Sequence, residues 1–325
     1  PILLTEKPRN NTETAIMEPR FIRTINDYFP YPIAANFKVL MTDECMDAGP
    51  LRLQYLLRTA ESVARFLGMV LLLECRRYIE ANSESQPPRA LVANFSGKLR
   101  KPSFGSWIHI AREGSHWLAS EEAELVVPEM KNVFFDDRKK ETSIKKASDK
   151  LVEIRNGLSH EKIRAFRPSD FETLCSLVNE QLEIQLEGLE FLGDVSLGYV
   201  TSIEVSKKRN AAPSFTHRIK ELSGHSDDFE GSRTVFDDYR ESDAVIIKYE
   251  RHDAYLNMEP LLVFDAEAGK ASDIFYFAGF SNPHKIAYLG CKHGGDFTSD
   301  SCSRSEEIEQ ETTQLLSLFS EEAPS

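Results

Sequence analysis

The chain has 325 residues, 41% hydrophobic and 10% aromatic, which is enough for two ordinary domains with a sizeable core and excludes a disordered polymer. Its net charge of −13 opposes whole-surface attraction to nucleic acid, and its longest purely apolar run, residues 66–73, is too short to span a bilayer. Five cysteines (Cys45, Cys75, Cys175, Cys291, Cys302) are odd in number, scattered and never in a CxxC pair, so reduced thiols in a cytosol are expected rather than a disulfide framework.

Residues 1–27 are polar and read as a loose leader; Pro1-Ile2-Leu3-Leu4 lacks the basic, apolar pattern of a secretory signal, so a soluble cytoplasmic protein is expected. Order is expected from about residue 28, with a short helix over 33–41. Gly49-Pro50 opens a long helix to about residue 81, whose Leu53, Leu56, Leu57, Ala60, Val63, Ala64 and Leu67 follow the 3.6-residue period. Helices over 89–99 and 106–118 follow, and Ile144, Ala147, Leu151 and Ile154 form the stripe of another over 142–155. Pro168-Ser169-Asp170 is a start signal, with Ser169 or Asp170 as cap, for a helix running to about 192.

After Gly193 the texture changes. Residues 195–205, 244–249, 260–264, 274–280 and 285–291 are short, rich in β-branched and aromatic residues, and bounded by turn formers, so they read as strands; 206–242 is polar and reads as including a long loop. Helices first and strands after predict an α+β chain: an N-terminal helical bundle (28–192), then a mainly β domain (193–302) and an acidic tail (303–325) able to supply a small docking helix through Leu315, Leu316, Leu318 and Phe319.

Residues 138–167 carry ten cations against four acids, which leaves this window at +6 and the remainder of the chain at −19. Such a run is commonly a solvated face, but this one surrounds Arg155-Asn156-Gly157-Leu158-Ser159-His160. In an unbroken helix positions 155 and 160 would stand about 140° apart around the axis and share no face. Asn156-Gly157 tolerates the left-handed conformation that closes helices, so a break is expected there that lets His160 turn back toward Arg155. That pair suits RNA. A histidine near neutral pKa can move the proton of the 2′-hydroxyl or of the leaving oxygen, and a fixed guanidinium can hold the scissile phosphate.

A helical domain with Arg-Asn-x-x-x-His placed where a helix breaks resembles the HEPN superfamily, whose signature is an arginine and a histidine separated by four to six residues, usually with a polar residue after the arginine. Arg155, Asn156 and His160 match that signature, and the resemblance covers about residues 28–192. It implies a helical bundle, a homodimer or larger defence assembly, and metal-independent RNA cleavage in a bacterial defence or toxin system, with no cofactor and no membrane. Arg155, Asn156 and His160 would be catalytic, and Lys145, Lys146, Lys150, Lys162 and Arg164 would bind RNA. The β region would sense a trigger or recruit a regulatory protein. Other members of the superfamily are non-catalytic docking modules, which is the alternative.

Spacing alone is weak, because Arg218 and His225 also match it outside any helical scaffold. Glu61 and Arg65 suit either the cleft beside Arg155 or a surface bridge one helical turn apart, the commoner outcome. Trp107 and Trp117 suit base stacking or, more ordinarily, core packing. Cys291, His293, His284 and Cys302 lack the tight pairing of a zinc site. No Walker loop, GxSxG or GxGxxG is present.

Overall fold

The computed structural model describes residues 17–82, 87, 89–160, 166–226, 228–229, 231–236, 241–249, 254–265, 273–282, 285–291, 296–298 and 304–319. The described chain is mixed α and β, with helices mainly N-terminal and strands C-terminal. The leader expected over 1–27 is helical from Pro19. Helix α1 (Pro19–Tyr28) starts on a proline, whose fixed φ suits a first turn, and buries Ile25; the ring of its Phe21 meets Phe29 edge-on. α2 (Tyr31–Leu40) follows at once.

α3 (Pro50–Ala81) is the central element. Its first half buries one stripe, but Phe66 to Cys75 are buried without interruption, so this stretch is enclosed on every side. α4 (Arg89–Leu99) leads to α5 (Phe104–Ser120), where the Ser103 hydroxyl accepts the Ser106 N–H at 3.2 Å as N-cap. α5 lies close on α3, and a Cβ built on Gly68 would sit 2.6 Å from the Trp107 ring. α6 (Ser143–His160) packs on α7 (Pro168–Glu187). The cap of α7 differs from the expectation: Arg167 holds the cap position, and Asp170, inside the first turn, accepts its N–H at 2.8 Å. α7 also stops at Glu187, before a 3-10 turn over Glu190–Asp194.

Nine strands form two antiparallel sheets among the described residues. The first has the order β3-β2-β1-β4-β5, from β1 (Val195–Ser206), β2 (Ser214–Glu221), β3 (Gly231–Phe236), β4 (Val245–Tyr249) and β5 (Tyr255–Asn257). The second runs β6 (Leu262–Asp265), β7 (Asp273–Asn282), β8 (Lys285–Gly290), β9 (Asp296–Thr298). β2 and β3 replace much of the loop expected over 206–242. Only His217 and Ile219 of β2 are buried, so its run carries a single buried apolar side chain and little strand signal.

Helices and strands share one apolar core that runs from Met17 to Phe319. Main-chain bonds sew the two regions together: the Tyr31 N–H donates to the Leu222 carbonyl at 2.9 Å, the Gly224 N–H to Phe29 at 2.7 Å, and the Phe280 N–H to Arg100 at 3.1 Å. Gly224 (φ +72°) is required there, since a Cβ would lie 2.8 Å from the Asp27 carbonyl oxygen. The acidic tail does form a helix, α8 (Ser305–Leu318), which buries Ile308 and Leu315 and ends with Phe319 against Phe95, ring centroids 5.1 Å apart. No helix among the described residues is long and apolar enough to cross a membrane.

Candidate functional site

The segment leading into α6 is a tight hairpin. The Asp136 carboxylate accepts the N–H groups of Arg138 (2.9 Å) and Lys140 (2.8 Å), and Phe135 pairs with Glu141 across the turn. Lys139 adopts φ +59°, the left-handed position where such three-residue loops favour glycine. Arg138, Lys139 and Lys140 are exposed on this turn. α6 then buries Ile144, Ala147, Leu151, Ile154 and Leu158, while the Ser148 hydroxyl accepts a hydrogen bond from Gln185 at 3.0 Å.

The expected break at Asn156-Gly157 is absent, and α6 continues to His160. Glycine in a helix interior costs about 1 kcal/mol relative to alanine. Leu158, only 5% exposed on the same stripe as Leu151 and Ile154, offsets this by tying the last turn into the core. Positions 155 and 160 therefore stand about 140° apart around the helix axis. Arg155 is half-buried beside the apolar stripe, whereas position 160 continues the line of Asp149, Glu153 and Asn156, all exposed. The pair does not converge by a chain reversal within one copy.

Of the expected RNA-binding cations, Lys145 is 13% exposed between Glu141 (2.9 Å) and Asp149 (2.8 Å), and these two carboxylates raise the pKa of its ammonium, Asp149 foremost. Lys150 reaches Glu153 at 3.3 Å. Lys146 is exposed and makes no ion pair among the described residues. The His160 side chain, Lys162 and Arg164 lie outside the described residues, as do His284, His293 and Cys302.

Glu61 and Arg65 make the bridge one turn apart at 3.0 Å, but the guanidinium lies over the Tyr276 ring of β7 at 5.6 Å, so the pair joins α3 to the second sheet. Trp107 and Trp117 are buried in the core, 0% and 3% exposed, rather than offered to bases. Arg218 and His225 part company. Arg218 bridges Glu204 on the first sheet, and the His225 ring bonds the Asn26 carbonyl at 2.9 Å. His109 takes a hydrogen bond from Arg112 at 2.9 Å, and burial, then Lys98, lowers its pKa. Among the described residues no group of three or more His, Cys, Asp or Glu is placed to hold a metal.

One polar site went unread in the sequence. A cleft of about 60 Å³ is lined by Glu241, Asn257, Glu259, Arg304, Glu307 and Glu311. Arg304 reaches both oxygens of Glu259, at 3.0 and 2.8 Å, and Glu307 at 2.9 Å; it also donates to the Asp243 carbonyl. Burial pushes the Glu259 carboxyl up to about 7 despite the opposing pull of Arg304. The available signal was a lone glutamate in the apolar run 256–264. The ion pair fastens α8 to the strand region.

No protein-family model, curated protein or solved structure matches this chain.

Proposed function

We propose that the chain is a HEPN-like ribonuclease whose helices α1–α7 act as the superfamily's bundle, and that its site is composed from two copies. The observation that carries this reading is the series Arg155-Asn156-x-x-x-His160 on the last turns of α6. Because α6 is unbroken, one copy presents positions 155 and 160 to different sides. A two-fold pairing of α6 ends would bring Arg155 of one copy to His160 of the other. The 2′-oxygen of RNA then attacks phosphorus and the bond to the 5′-oxygen breaks, leaving a 2′,3′-cyclic phosphate and a 5′-hydroxyl. His160 takes or returns the proton, Arg155 stabilises the charge of the phosphorane, and Asn156, exposed between them, orients the phosphate.

The test is cleavage of RNA in EDTA by the parent, Arg155→Ala and His160→Ala. Each variant is expected to lose roughly 10²–10⁴-fold. Dissociating and mixing the two variants is expected to restore activity, since a mixed dimer holds one site with both side chains. Equal activity in all three proteins sinks the nuclease. Loss in both variants without rescue on mixing places the pair within one copy.

A second reading, a non-catalytic docking module, is favoured by one observation: Lys145 and Lys150, expected on the RNA, are engaged by acids of their own helix. A parent that dimerises and never cleaves supports it.

A further inference from the structure

A second cationic segment, this one free of acids, lies outside α6. Past Val200, β1 is no longer flanked by β4, and its pairing with β2 continues from Glu204 opposite Thr216 to Ser206 opposite Ser214, with β3 alongside β2 as far as Phe215; every residue from 204 to 214 is exposed. No Asp or Glu occurs between Val205 and Lys220, where the chain's average would place about two or three, while Lys207, Lys208, Arg209, Arg218 and Lys220 all fall there. Lys220, at the base, lies over the Phe264 ring, and Arg218 bridges Glu204. Lys207, Lys208 and Arg209, at the tip, make no ion pair among the described residues.

Two details argue that this charge is kept for a partner. Arg218 stands directly opposite Arg233 on β3, a like-charge cross-strand pair that destabilises a sheet. Val205, 60% exposed, adds an apolar spot beside the tip. The turn before α6 is the weaker candidate, because its three cations are matched in number by Asp136, Asp137 and Glu141.

We propose that the β1–β2 hairpin is an RNA-binding arm that holds the sugar–phosphate backbone of a single strand through Lys207, Lys208 and Arg209. This rests on the RNA reading of α6 for the choice of polyanion, but not on cleavage. The paired strands fix both ends of the loop that carries the tip cations, the nucleic-acid backbone supplies one charge per nucleotide, and the exposed valine supplies contact for an unstacked base.

The experiment measures binding of a fluorescein-labelled single-stranded RNA by anisotropy across a salt series. The full chain carries Arg155→Ala and His160→Ala, so no turnover intrudes. With Lys207→Gln, Lys208→Gln and Arg209→Gln added, the slope of log K against log salt is expected to fall by about 2, and affinity at 0.1 M salt by roughly a hundredfold. The melting temperature stays unchanged, because the tip packs against nothing. Lys207→Arg with Lys208→Arg is expected to bind as the starting chain does. Absent RNA binding, an unchanged slope in the triple variant, or equal capture of labelled polyglutamate overturns the arm as an RNA element, the last in favour of an acidic protein. Binding that depends on the tip in a chain that never cleaves keeps the arm and removes only the nuclease.

Discussion

Removing Arg304 should destabilise the fold in a way that depends on pH, because its main partner is a buried carboxylate able to take a proton. Glu259 is 6% exposed and loses both guanidinium bonds in Arg304→Ala, as the Asp243 carbonyl loses a donor. Stripping one partner from a buried pair costs about 3–5 kcal/mol while the charge remains. The folded carboxyl value of about 7 lies above the ordinary 4.5, so folding takes up a proton between those limits. Parent stability attributable to this group is therefore full below pH 4.5 and falls by about 3 kcal/mol as pH rises to 7.

Without the arginine the folded value rises further and the sloping window extends above pH 7. At pH 9 the variant should lose the full amount, and at pH 5.5, with Glu259 protonated, only about 1 kcal/mol for the missing hydrogen bonds. Urea unfolding at both pH values checks this, with Glu259→Gln as background. There the Arg304→Ala loss should shrink and become nearly flat with pH. A loss of equal size at pH 5.5 and 9, or one undiminished in the glutamine background, refutes the reasoning.

Two further substitutions test the turn before α6 and the packing of α3 on α5. Lys139→Gly relieves a left-handed residue inside a turn whose backbone is already held by Asp136, and should raise stability by about 0.5–1 kcal/mol in a denaturant midpoint; a loss would mean the lysine side chain anchors the turn. Gly68→Ala places a Cβ 2.6 Å from the Trp107 ring and 3.1 Å from its carbonyl oxygen, so it should cost about 1–3 kcal/mol and alter tryptophan fluorescence; an unchanged midpoint would show that α3 and α5 can separate freely.

What the sequence revealed follows from how each element meets solvent. The limits of α4 were readable to the residue and those of α3 and α5 to within two, because prolines and turn formers bound them and the one-sided first half of α3 writes the 3.6 period into the chain. Local chemistry misled where a distant contact decided the outcome. Asn156-Gly157 is a stop by propensity, yet burial of Leu158 carries α6 past it. Ser169 and Asp170 are good caps by type, yet the cap falls two residues before Ser169, at Arg167, and the helix uses Asp170 from within. β2 was hidden because its buried positions are a histidine and one isoleucine, too brief an apolar alternation to read. Glu259 was hidden because its partner, Arg304, lies 45 positions away.

The continuous core also limits how the β region can act on α6. Independent movement is the ordinary expectation for two domains joined by a polar, modest interface. Here such a swing would expose Tyr276, which donates to the Pro32 carbonyl at 3.0 Å from the second sheet, and would break the main-chain bonds from Tyr31 to Leu222 and from Gly224 to Phe29. It would also strip Arg65 from the Tyr276 ring. If the proposed two-copy site and RNA arm hold, a trigger on the β region would then act through what the joined helices and strands bind: whether a second α6 arrives, or whether RNA does.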